Sequence, residues 1–127
     1  MTGRGGALLA RSRTELEAAR TLSSAGFPDQ AISRAYYGAF YAAEAALLTI
    51  GETRSKHSGV VSAFGRVVVK DGGFDAAMGG ELRRLFELRN AADYSWLDAP
   101  PPAGDDAVAD AERFVDGVER WIAERTT

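Results

Sequence analysis

Apolar residues recur at three- and four-residue spacing along most of the chain, the pattern of amphipathic helices rather than strands. Glycine and proline cut this pattern into five segments. The first runs from about Ala7 to Ser24, with Leu9, Leu16, Ala19 and Leu22 turned inward, and ends at Gly26. The second starts at Pro28, whose fixed φ suits a first helical turn, and stops at Gly51. A third, with Ser55 as its N-cap, carries His57, Val60, Val61, Phe64, Val67 and Val68 at helical spacing until Asp71, Gly72 and Gly73 end it. Its Val67–Val69 run is locally strand-like. The fourth covers about Asp75 to Tyr94, despite Gly79 and Gly80 in its first turns. Consecutive prolines between Ala99 and Gly104 make an extended connector, after which a last helix, about Asp105 to Glu124, buries Val108, Ala111, Phe114, Val115, Val118 and Ile122. The expectation is an all-α bundle of four to five helices in a single domain over residues 7–125, with frayed ends.

The second segment has three faces. Ile32, Tyr36, Ala39, Phe40, Ala43, Leu47 and Ile50 form a core stripe, and Ala35, Ala39, Ala42 and Ala46 let another helix approach closely, within the bundle or across a dimer. The third face, Arg34, Tyr37, Tyr41 and Glu44, combines a cation, two phenols and a carboxylate, which serves either ordinary tyrosine burial or half of a polar site.

The other half is suggested by the fourth segment. There Leu82, Leu85, Arg89, Ala92 and Trp96 share one stripe, and a charge interrupts it. An arginine keeps its proton, so this position demands a carboxylate, a partner subunit or a bound phosphate. Asp93, one turn on, is the nearest carboxylate, and an Arg89–Asp93 pair is the simpler reading; a cleft holding Arg89, Asp93 and Tyr94 is the functional one.

Composition narrows the chemistry. There is no cysteine, which removes disulfides, thiolate metal sites and a thiol nucleophile. Fifteen basic against 18 acidic residues give a net charge of −3, so nucleic acid would need a local basic patch, for which Arg34, Arg66, Arg83, Arg84 and Arg89 are candidates. Asp105, Asp106, Asp110 and Glu112 oppose a helix dipole rather than mark a metal site, and neither metal nor cofactor is expected. No apolar run approaches the roughly 20 residues of a membrane span, and the glycine-rich start lacks the apolar centre of a signal peptide, so the chain reads as cytoplasmic.

Four runs carry a family resemblance: Gly26-Phe27-Pro28, Ser33-Arg34-Ala35-Tyr36-Tyr37-Gly38-Ala39-Phe40-Tyr41-Ala42-Ala43, Lys56-His57-Ser58-Gly59-Val60 and Phe86-Glu87-Leu88-Arg89-Asn90-Ala91-Ala92-Asp93-Tyr94. In order and spacing they resemble the HEPN domain superfamily, most closely its UPF0332 branch, over about residues 10–125. The resemblance implies a helical bundle, usually a homodimer. Many HEPN proteins are metal-independent endoribonucleases encoded beside a minimal nucleotidyltransferase as a toxin and antitoxin pair. Their ribonuclease motif is Arg, a polar residue, three variable positions, then His. Arg89 and Asn90 match its start, whereas Tyr94 stands at the histidine position. The only histidine, His57, begins another helix, whose dipole favours the neutral ring. RNA cleavage by its own 2′-hydroxyl needs a base, a donor to the leaving oxygen and positive charge on the phosphorane. The candidate catalytic residues are therefore Arg89, Asn90, Asp93 and Tyr94, and the candidate binding residues Arg34, Tyr37, Tyr41 and His57. By the same resemblance Tyr94, Tyr37 or Tyr41 could accept AMP from the partner. Three readings follow: a toxin-like ribonuclease with a dimeric cleft, a catalytically silent module binding RNA, a nucleotide or a partner protein, and a helical dimerisation scaffold.

Overall fold

The computed structural model describes residues 3–54, 56–93 and 104–126. Among the described residues five α-helices follow one another: α1 Gly3–Ser24, α2 Pro28–Thr49, α3 His57–Ala63, α4 Ala76–Asp93 and α5 Gly104–Thr126. Between α3 and α4 the backbone continues as a wider π-helical stretch, Phe64–Asp71. No strand occurs among the described residues, so the β-branched Val67–Val69 run is overridden by packing: Val68 is buried against the core and its neighbours are half-buried. The architecture is the expected all-α bundle.

Local signals account for most boundaries. Pro28 opens α2 with Asp29 in the first turn, where a carboxylate faces the positive helix end. Gly26 (φ +89°) and Gly51 (φ +78°) close α1 and α2 in the left-handed region that L side chains avoid. Two expectations need correction. The first helix starts at Gly3, so residues 3–6 are helical rather than frayed. The cap position of α3 is Lys56, extended and without a side-chain capping bond; Ser55, expected there, lies outside the described residues, as does the proline connector.

Helix α2 is the centre of the bundle, packed against α1, α4, α5 and α3. Its alanine stripe is consumed inside the monomer: Ala35, Ala39, Ala42 and Ala46 are completely buried. Close approach of α1 follows from small residues on both sides. Ser12 donates a 2.6 Å hydrogen bond to the Gly38 carbonyl, and a Cβ on Gly38 would stand 2.7 Å from Leu16 Cδ2. On α1, Leu16 and Ala19 are buried as expected, but Leu9 and Leu22 are only half-buried, and Ser12 and Glu15 take inward positions. On α5 the whole expected face is buried, joined by Trp121. Phe114 of this face meets Phe64 and Phe74, which also meet each other, at centroid distances of 5.2–5.9 Å; both pairs with Phe74 are edge to face and Phe64–Phe114 is tilted.

Candidate functional site

The polar face of α2 does not form one site. Arg34 turns toward α1, where it donates to Glu15 at 2.5 Å and lies 4.8 Å over the Tyr37 ring. Glu15 is buried and also meets Arg11 at 3.4 Å, so two cations compensate one carboxylate. Arg11 in turn covers Tyr41, 5.6 Å from the ring centroid. Glu44, further along, opens into a shallow groove lined by Arg4, Phe40, Thr53, Arg54 and His57. Burial pushes the Glu44 carboxyl above its usual range, with Arg4 opposing the shift.

Tyr37 is the hinge between this ion-pair cluster and a second one around Arg89. From α4, Arg89 donates to the Tyr37 hydroxyl at 3.0 Å and to Asn90 Oδ1 at 3.1 Å. Its guanidinium lies 5.1 Å from the Tyr36 ring centroid, 5.7 Å from Tyr37 and 5.8 Å from Phe86. No carboxylate reaches ion-pair distance of Arg89 among the described residues, and its buried Nε–H has no hydrogen-bond partner there. The simpler Arg89–Asp93 pair therefore does not form. Asp93 is exposed and borders a separate recess with Asp29, Gln30 and Ser33. Tyr94 and Trp96 lie outside the described residues.

The fold brings His57 to the same place. Its ring packs 4.3 Å from Phe40, 5.5 Å from Tyr37 and 5.7 Å from Tyr36, and Nδ1 is 3.1 Å from the Tyr36 hydroxyl. Burial first, and the Arg89 charge second, hold the imidazole below its usual pKa. Tyr36 is completely buried, and burial keeps its phenol far above the normal range. Of the sequence candidates, Tyr37, His57, Arg89 and Asn90 thus gather around one aromatic cluster, Arg34 and Tyr41 adjoin it through rings, and Asp93 stands apart. Tyr36 joins the cluster although its sequence position assigned it to the core. Its hydroxyl was the available signal, since a buried phenol needs a polar partner.

Among the described residues, two of the five arginines of the candidate basic patch are neutralised by carboxylates. Arg84 pairs with Glu81 and Asp110, and Arg34 with Glu15. Among the described residues no group of three or more His, Asp or Glu side chains could hold a metal ion, and no helix is long and apolar enough to cross a membrane.

An α-helical bundle with an arginine against an aromatic cluster at the C-terminal part of its fourth helix is the class defined by this fold and cluster. The HEPN domain model matches residues 6–121, and the chain belongs to that family. A UPF0332 protein of Thermotoga maritima is 37% identical over 113 residues, covering 88% of this chain and 86% of the relative. A protein of Methanocaldococcus jannaschii named "Putative toxin MJ0605" is 31% identical over 118 residues, 93% of this chain and 88% of its own length. A UPF0332 protein of Gloeobacter violaceus is 30% identical over 119 residues, 92% and 94% of the two chains.

Proposed function

We propose that this chain is the HEPN component of a toxin and antitoxin pair, and that it acts in the cytoplasm by binding RNA through a backbone phosphate at Arg89. The observation that carries the reading is the uncompensated cation: Arg89 is half-buried among Tyr36, Tyr37 and Phe86, with no carboxylate within ion-pair distance among the described residues and only two of its five N–H donors in hydrogen bonds there. A phosphodiester supplies the missing negative charge and matches the planar donor fork. The toxin name of the Methanocaldococcus relative supports the biological context. A homodimer placing two such arginines on one RNA, and a minimal nucleotidyltransferase as antitoxin, complete the proposal. Tyr94 at the motif's histidine position favours binding with weak or absent cleavage over efficient hydrolysis, because a phenol of ordinary pKa near 10 is a slow base at neutral pH.

Controlled expression in a host lacking an antitoxin tests this, with total RNA and bound RNA recovered from wild type and Arg89→Ala. Wild type is expected to slow growth and co-purify with RNA, and the variant to do neither. Normal growth and no bound RNA with both proteins would overturn the reading.

A further inference from the structure

The direction of the Tyr36–His57 hydrogen bond decides what His57 can do. Tyr36 is completely buried, and His57 Nδ1 is the sole hydrogen-bond partner of its hydroxyl among the described residues. If the imidazole donated, the phenolic proton would be left buried with no acceptor; if the phenol donates, only a spare lone pair is unused. The second arrangement is strongly preferred because an orphaned donor costs more than an unused lone pair. The groups facing His57 reinforce a neutral ring. Burial of the ring acts first, and the Arg89 charge on α4 works in the same direction. The groove beside the ring is lined as well by Arg4 of α1, by Glu44 of α2 and by Arg54, which pairs with Glu52 at 2.9 Å. A neutral imidazole carries one N–H, so a phenol donating to Nδ1 leaves that hydrogen on Nε2. Among the described residues Nε2 has no protein partner, and it is not among the buried unpaired atoms, so it reaches solvent in the groove beside Arg4, Phe40 and Arg54.

We propose that Tyr36 locks His57 in the Nε2–H tautomer, making His57 a hydrogen-bond donor to a phosphate oxygen of single-stranded RNA alongside Arg89, and not a base for its 2′-hydroxyl. The ligand class rests on the RNA reading above; the tautomer does not. The arrangement gives the site two kinds of donor, one cationic and one neutral, and withholds the lone pair that proton abstraction would require.

Because His57 is the only histidine of the chain, nitrogen NMR of protein labelled at histidine reports this ring without assignment. At neutral pH the free protein is expected to show a bare Nδ1 and a protonated Nε2. Tyr36→Phe, which keeps the ring but removes the hydroxyl, should yield a mixture of tautomers. A bare Nε2 in wild type, an imidazolium at neutral pH, or an unchanged pure tautomer in Tyr36→Phe would each overturn the lock. The probe for the ligand is a 2′-O-methylated oligouridylate, which cannot be cleaved by its own 2′-oxygen. Its addition should shift the wild-type Nε2 resonance, His57→Ala should bind it about tenfold more weakly, and His57→Gln, which retains a donor N–H, should recover most of that loss. Binding that is indifferent to His57→Ala would overturn the donor role. No binding by wild type would overturn the RNA reading instead, while the spectrum of the free protein still judges the tautomer.

Discussion

Two arginines that meet the same tyrosine have opposite electrostatic surroundings. Arg34 and Arg89 both approach Tyr37, Arg34 with its guanidinium over the ring and Arg89 with a hydrogen bond to the hydroxyl. Arg34 is answered by the buried carboxylate of Glu15, whereas among the described residues Arg89 is answered only by π faces, a phenol and an amide. The first is a structural ion pair that staples α1 to α2. The second leaves a positive charge that no carboxylate among the described residues neutralises, the electrostatic form expected of the proposed phosphate site.

The two arginines separate most sharply when RNA binding is set against stability. Arg89→Ala should weaken RNA binding at least tenfold, since it removes a charge-assisted, two-pronged phosphate contact. Its stability should stay within about 1 kcal/mol of wild type, because lost ring contacts are offset by removal of a desolvated, partly unpaired cation. Filter binding and urea denaturation measure the two halves. A variant that unfolds while its residual folded fraction binds RNA normally would make Arg89 structural.

Arg34→Ala should do the converse. It strands the Glu15 carboxylate, 5% exposed, with only the longer Arg11 contact, and should cost about 1–3 kcal/mol of stability. RNA affinity measured on the folded protein should change little. Loss of affinity larger than for Arg89→Ala would place the phosphate site on the α1 side of Tyr37.

The helical framework was legible because periodicity and breakers are local. Pro28, Gly26 and Gly51 fix ends by backbone geometry alone, and the α5 stripe is buried as its spacing required. Arg89 was legible as an anomaly, a charge where the stripe wanted a leucine. What it meets was not legible, because His57 comes from a different helix and Tyr36 carries its message in one hydroxyl at the end of a core side chain. The choice of partner for Arg34 was hidden for the same reason: Glu15 sits among the buried positions of α1, 19 residues away, and no local rule pairs them.

The arm that carries His57 offers a third test. Its π-helical end is tied to α5, where Trp121 Nε1 donates to the Gly72 carbonyl at 2.9 Å and Arg125 donates to the same oxygen. A Cβ at Gly72 would stand 2.6 Å from the Val68 carbonyl oxygen and 2.9 Å from Trp121, so Gly72→Ala must move backbone or a packed indole. A stability loss of about 1–3 kcal/mol is expected in thermal or urea unfolding. An unchanged stability would show that the arm is not anchored there, and that His57 owes its position to the aromatic cluster alone.

The smallest effect is on pH dependence, and its sign is fixed. The folded state holds His57 below the usual imidazole pKa, first by burial and then by Arg89, so near pH 6.5 the unfolded chain binds more protons than the folded one. Stability contributed by the neutral ring is therefore complete above the unfolded value and is lost as pH falls from there through the lower folded value. Glu44 works the opposite way lower down: its raised pKa favours the folded state in acid, and that contribution disappears as pH rises through the carboxylate range. Around the ordinary imidazole pKa the His57 contribution lowers the urea midpoint on acidification, and the midpoint should therefore fall more in wild type than in His57→Gln. Arg89→Ala should also flatten the slope, because one of the two causes of the shift is gone. If Arg89→Ala leaves the slope of wild type intact, the guanidinium does not act on the imidazole, and the two halves of the proposed phosphate site are electrostatically independent.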